Sequence, residues 1–303
     1  MGRAWTVLAR EDAWRLAWRR LADGAETPLP IGRTWLSEHE LVAPAGQFYA
    51  DPFLLEHEGR AALFFEHFEA ARGLGTLAAV ELDARGAPGP VREVLRAAHH
   101  LSYPYVFAHE GAAYMIPETH AARRIELWRS RAFPFEWERE RTLIDGVDAV
   151  DATWFEHGGL YWLLACVARP HAPRSEELCA FWSERPFGPW RAHAANPVVD
   201  DPCGARPAGR PFVLGGRLVR PAQDVALEYG GRIVFQEVLE LDPARYQERV
   251  LGAFDPEGIA DAVGAHTYDR SARHEVIDLR GTRWRRPAWL RAASRAFSRR
   301  RPR

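Results

Sequence analysis

Carboxylates recur at corresponding places along this 303-residue chain, and paired carboxyl groups on a rigid scaffold suit glycoside chemistry. In that chemistry one carboxyl group acts as acid and a second as base or nucleophile around an oxocarbenium-like transition state. Asp51 opens "DPFLLEHEGRAALFFEHF" and Asp151 opens "DATWFEHGGLYWLLACV". Glu66 and Glu118 each stand seven residues after a turn glycine, and Gln223 takes the equivalent slot in "RPAQD" with Asp224 beside it. An acid inside an apolar run such as "ALFFEHF" is costly if buried alone, so it needs a partner or a water-filled cavity.

Other polar groups join these acids. Arg206 and Arg220 each precede a proline and could pair with the acids or fork onto a ligand carboxylate or phosphate. His100 in "HHLSYPY" and His266 in "GAHTYD" are candidate hydrogen-bond donors to sugar hydroxyls. Tyr103, at the place Asp51 holds in its own segment, and Asp148 in "DAVDAT" complete the substrate-binding candidates, with Glu66, Arg206, Arg220 and Gln223. The chain has no lysine, which removes Schiff-base and P-loop lysine chemistry. No loop carries dedicated metal-ligand spacing, so neither a metal nor a cofactor is expected.

The elements that position these groups follow from a repeat. The segments from Asp51, Tyr103 and Asp151 share a polar start, an apolar strand, a histidine, a glycine two residues later and a second strand. Gly59, Gly111 and Gly159 sit where a tight hairpin needs positive φ, and His57, His109 and His157 read as turn residues. Third strands follow in "GTLAAVELD", "RIELWRS" and "ELCAFWSE", and fourth strands in "VREVLR" and "WERERTLID". A fourth copy begins near Arg206 and a fifth near "GAHTYDRS", completed by the N-terminal "AWTVLAR" and "WRLAWRR".

The expected fold is all-β, a five-bladed β-propeller over residues 1–285 with N-terminal strands completing the last blade, followed by a basic amphipathic tail or helix at 286–303. Innermost strands border the channel, so Pro52, Pro104 and Pro207 break no essential ladder bond there. Asp51, Tyr103, Asp151 and Arg206 would then face the channel mouth. The same acids could instead only fix blade joints by accepting backbone hydrogen bonds. The tryptophans read as blade packing, with Trp154, close to Asp151, the best candidate sugar platform.

A formal net charge of -1 gives no global pull toward nucleic acid, and no polynucleotide-binding fingerprint is present. Three cysteines, Cys166, Cys179 and Cys203, without metal-site spacing, and an N-terminus without an apolar h-region, set the expectation of a reducing cytoplasm. No apolar run approaches the roughly 20 residues that span a bilayer. From Leu279 to Arg303 there are ten arginines and no acid. That tail reads either as a frayed basic segment or as an interfacial helix touching the anionic inner membrane face.

Taken together, "FYADPFLLEHEG", "HLSYPYVFAHEG", "YMIPET", "DAVDAT", "GPW" and "RPAQD" resemble the N-terminal domain family of glucosamine inositolphosphorylceramide transferases and its stand-alone bacterial relatives, from about Phe48 to Tyr246. That family is distantly similar to the five-bladed propellers of glycoside hydrolase families 43, 32 and 68, which implies a sugar-active site in the channel. By that resemblance, Asp51 matches the base or nucleophile and Asp151 the acid that tunes pKa and holds the sugar. The hydrolases place their proton donor on the fourth blade, where this chain has Arg206 in "ARPAGRPF". Glu118 or Asp224 could replace it. The reading is a carbohydrate-active enzyme that cleaves or transfers a glycosyl group on a carbohydrate or sugar-phosphate ligand, in cell-surface polysaccharide or glycolipid metabolism. A non-catalytic glycan or sugar-nucleotide binding propeller and a protein-interaction propeller stand as alternatives.

Overall fold

Short apolar runs punctuated by turn residues dictate antiparallel strands. The computed structural model, which describes residues 10–21, 29–32, 35, 37–168, 176–256, 259 and 261–284, arranges them as five sheets of a five-bladed β-propeller. The first blade runs Gln47–His57, Arg60–Glu69, Leu74–Leu82 and Arg92–Leu95. The second runs Ser102–His109, Ala112–Glu118, Arg124–Ala132 and Glu136–Asp145. The third runs Ala149–His157, Leu160–Val167, Glu177–Ser183 and Arg191–Ala192, and the fourth Phe212–Leu214, Arg217–Asp224, Arg232–Leu241 and Tyr246–Phe254.

One turn chemistry makes the first hairpin of four blades. The pairs His57↔Arg60, His109↔Ala112, His157↔Leu160 and Leu214↔Arg217 each enclose two residues of positive φ, ending on Gly59, Gly111, Gly159 and Gly216. Positive φ at both central positions is the requirement of the hairpin turn whose twist matches its strands. The fifth blade departs from it. Its corresponding hairpin closes by Ser271 N–H donating to the His274 carbonyl and contains no glycine.

The fifth sheet closes the ring. Ala262–Gly264 and Tyr268–Arg270 both pair with His274–Trp284, which pairs in turn with Arg10–Arg20 and, beyond it, His39–Val42. The expected "WRLAWRR" strand is present, and the outermost strand comes from "HELV"; "AWTVLAR" lies outside the described residues but for Arg10. Trp18 is fully buried here, and its Nε1 donates to the Gly86 carbonyl of the first blade at 2.9 Å. The basic tail at 286–303 lies outside the described residues.

The inner strands of three blades share one irregularity. Register shifts fall between Ala50 and Phe53, between Ser102 and Tyr105, and between Val150 and Thr153. Within them Asp51, Tyr103 and Asp151 adopt φ of 54°, 43° and 56°. A bulge leaves the extra residue unpaired and re-aims its side chain, and a left-handed conformation at a residue with a side chain persists only where its surroundings enforce it. The acid before Pro52 is therefore the bulged residue of an edge strand, turned toward the hub. In the fourth blade Pro207 makes only an isolated bridge to Ala222 before the strand restarts at Phe212, because Gly209 crosses close over the fifth blade. A Cβ on Gly209 would meet the Tyr268 carbonyl oxygen at 1.8 Å.

Candidate active site

The first-blade bulge delivers Asp51 to a cavity of about 290 Å³, lined by Asp51, Glu66, His100, Ser102, Glu118, His120, Val150, Arg206 and Tyr229. Glu66 and Glu118 reach it because their ladder partners, Ala50 and Ser102, are the last paired residues before the bulges. The same slot in the third blade, opposite Val150, holds Cys166. Asp151 stands directly behind the wall, 2% exposed, with Arg206 Nε donating to its Oδ2 at 2.6 Å.

Asp51 is held on three sides. Tyr103 N–H donates to Oδ2 at 3.1 Å, the Thr267 hydroxyl to Oδ1 at 2.9 Å, and His266 Nε2 approaches Oδ1 to 3.3 Å. His266 Nδ1 forms a 2.6 Å ion pair with Asp278. Asp278 also accepts the backbone N–H groups of His266, Thr267 and Asp51 at 2.8, 3.0 and 3.1 Å. Asp51, His266 and Asp278 bring one ligand-type atom each within 4.8 Å of one another. Their closest contact is an ion-pair distance, so the set reads as an imidazolium between two carboxylates rather than a metal centre.

Tyr103 serves the hub rather than the cavity. Its side chain is fully buried, with the hydroxyl on Thr153 Oγ1 at 2.9 Å and accepting the Gly209 N–H at 3.0 Å. Tyr229, from the loop after the fourth blade's second strand, supplies the cavity's aromatic ring. That ring lies 5.0 Å from the Arg206 guanidinium and packs edge-on to His266. Trp154, the expected platform, stacks on Phe107 and donates to the Pro186 carbonyl between blades instead.

The electrostatics follow from crowding acids in a buried hub. Burial, then the charges of Asp51, Glu118, Asp278 and Asp151, push the Glu66 carboxyl well above the usual carboxylate range. Burial likewise raises Asp51, against the opposing charge of His266, and carries Asp151 up to about 7 despite the Arg206 charge. Burial opposes ionisation of Glu118 too, but the His120 hydrogen bond at 2.5 Å, Arg206 and His120's charge outweigh it and pull Glu118 down. Burial alone would lower His266, yet Asp278 and Asp51 raise it. Burial lowers His100.

Besides Tyr103, four candidates read from the sequence lie away from this cavity. Asp224 follows the Gln223 slot by one residue, so strand alternation turns it outward. It accepts from Arg232 Nε at 2.7 Å and the Ala226 N–H at 3.1 Å, and it lines a separate cavity with Leu227, Glu228 and Arg232. Arg220 pairs with Glu248 at 2.7 Å and caps the Gly204 carbonyl within its own blade, not with the channel acids. Gln223 is buried with its Nε2 on the Pro207 carbonyl. Asp148 stands 3.9 Å from Arg123.

Sequence reasoning missed Asp278, His120, Ser102 and Tyr229. Asp278 occupies the fifth blade's version of the Glu66 slot, but counting from a turn glycine cannot reach it because that hairpin has none. His120 was findable, two residues after Glu118.

A family model described as glucosamine inositolphosphorylceramide transferase 1, N-terminal, matches residues 34–284. Over 235 residues the chain is 35% identical to glucosamine inositolphosphorylceramide transferase 1 of Oryza sativa subsp. japonica, covering 76% of this chain and 31% of that protein. The chain thus spans under a third of the length of that curated relative. Among solved structures, a family 117 glycoside hydrolase from Zobellia galactanivorans has a TM-score of 0.53 at 10% identity, covering 96% of this chain and 99% of its own. A family 43 β-1,3-galactosidase has a TM-score of 0.54 at 13% identity, covering 68% of this chain and 47% of its own. At such identities the likeness is one of fold.

Proposed function

We propose, from the premise that this chain belongs to the glucosamine inositolphosphorylceramide transferase N-terminal family, that it is a carbohydrate-active protein that cleaves or transfers a glycosyl group in the channel cavity. The observation that carries this reading is the convergence of Asp51, Glu66 and Glu118, from two blades, on one small open pocket, with Asp151 and Asp278 from two further blades close behind its wall. A volume of about 290 Å³ sits at the lower end of ligand pockets, roughly 300–1,000 Å³, and suits a single sugar ring. Asp51, in the cavity lining and tethered from the second and fifth blades, acts as base or nucleophile. Asp151 holds Arg206 so that the guanidinium faces sugar oxygens, and Tyr229 offers a ring to the sugar's apolar face.

The test is activity of the full chain on a panel of aryl glycosides and sugar nucleotides, with Asp51→Asn, Glu118→Gln and Asp151→Asn compared singly. Loss of turnover in Asp51→Asn, with its fold retained, supports the reading; full activity in all three overturns it. The Asp151–Arg206 pair favours a second reading, a glycan-binding propeller, since it satisfies one of the two acids expected to react. Saturable monosaccharide binding by calorimetry without turnover of any panel member would select that reading.

A further inference from the structure

We propose that Glu66 is the proton donor of this site, and that His100 faces the carboxylate left behind as its neutral Nε2–H tautomer. The inference rests on the carbohydrate reading above.

Four of the five hub acids are held by other groups. Asp51 accepts two hydrogen bonds and lies against His266; Asp151 has Arg206; Glu118 has His120; Asp278 accepts three backbone N–H groups. Glu66 has none of this. Among the described residues no well-formed hydrogen bond reaches its buried Oε1, whose nearest polar neighbour is His100 Nε2 at 3.3 Å. The groups that face it are Asp51 from its own blade, Glu118, Asp151 and Asp278 from three other blades, and His100 from the loop after its blade. Four are acids, and the one arginine nearby is already committed to Asp151. A buried carboxyl crowded by four acids, whose closest polar neighbour is an imidazole rather than an arginine, stays neutral. It also lines the cavity, so it can reach a bound ligand.

His100 fixes its own tautomer. The Gly75 N–H donates to His100 Nδ1 at 3.0 Å, so in the neutral ring the proton sits on Nε2. Nε2 lies 3.3 Å from Glu66 Oε1. Glycine at position 75 permits this approach, since a Cβ there would stand 2.6 Å from Glu66 Oε1 and 2.8 Å from the His100 ring. The ring is about a third exposed at its side chain, 31%, which opens a path to solvent.

The step balances within the site. The C1–O bond of the donor glycoside breaks, and its departing oxygen takes the Glu66 proton. A C1–O bond forms to water or an acceptor hydroxyl, whose proton passes to Asp51. Glu66 loses one proton and Asp51 gains one, and exchange with solvent through His100 restores both.

The closing experiment needs no substrate in its first arm. Carbon-13 carboxyl resonances of the full chain, labelled in glutamate, are titrated in the wild type, Glu66→Gln and Glu118→Gln. One glutamate is expected to stay protonated through neutral pH, to vanish in Glu66→Gln and to persist in Glu118→Gln. Absence of such a glutamate, or its survival in Glu66→Gln, overturns the proposal. Should Glu66→Gln not fold, His100→Asn carries the assignment: loss of the Nε2–H moves that one titration upward, and no movement overturns it. The second arm uses 2,4-dinitrophenyl and methyl glycosides. Glu66→Gln is expected to lose ~100-fold or more on the methyl glycoside, which needs a proton on its leaving oxygen, and little on the dinitrophenyl one. Equal losses on both overturn the donor role. A wild type that turns over neither overturns the carbohydrate reading while leaving the protonation of Glu66 measured.

Discussion

Arg206 Nε and Asp151 Oδ2 meet at 2.6 Å across the joint between the fourth and third blades, largely out of water. Removing one partner of such a pair strands the other, so Arg206→Gln alone is expected to cost about 3–5 kcal/mol of stability. Asp151→Asn in the same chain should recover part of that loss. Urea unfolding of the two single variants and the double variant checks it, and additive losses would show the two residues uncoupled.

Glu66→Gln should stabilise the chain increasingly as pH rises. The folded pKa of Glu66 lies well above its ordinary 4.5. A raised acid contributes its stability fully below the unfolded value and loses it on the way up to the folded one, at about 1.4 kcal/mol per pH unit. Glutamine mimics the neutral acid and escapes that loss. Melting temperatures of both chains should coincide near pH 4 and diverge toward pH 7, with the variant higher; parallel curves would contradict a neutral Glu66.

Asp278→Ala leaves three backbone N–H groups and His266 without their acceptor. Each orphaned buried group costs about 1–3 kcal/mol, so a total of about 3 kcal/mol or more is expected in chemical denaturation. The conservative Asp278→Asn should also lower the His266 titration, which this carboxylate raises. An unchanged imidazole titration by proton NMR would remove Asp278 from the account.

Gly209→Ala is expected to destabilise by about 1–3 kcal/mol or more, because its Cβ would press on the Tyr268 carbonyl, backbone that cannot swing aside. Gly59→Ala, which meets nothing within 4 Å, should show only the smaller strain of its positive φ. Equal effects in thermal melts would refute the close crossing of the fourth and fifth blades.

Much of this architecture could be read from the chain because four hairpins use one two-residue turn, and a glycine at fixed distance marks each. The fifth blade turns without glycine, so its strands were placed but its acid, Asp278, was not. The bulges were invisible. Nothing in "YADPF" or "AVDAT" spells an extra residue, yet the bulge turns Asp51 to the cavity and Asp151 to the wall behind it. Arg206 and Arg220 share an identical "RP" signal, and only the fold separates a hub residue from an intra-blade ion pair. Tyr229 lies in a loop that no other repeat copies, so periodicity carried no information about it.

The fifth blade pairs Arg20 with His274 and Arg10 with Trp284. During translation the early strand must therefore wait for its neighbour, on the order of ten seconds or more at ~5–20 residues per second. Until then the strand bearing Trp14 and Trp18 has only the short His39–Val42 beside it, and the nascent ring stays open next to its first blade. The ring closes only when Arg10–Arg20 is fastened to His274–Trp284.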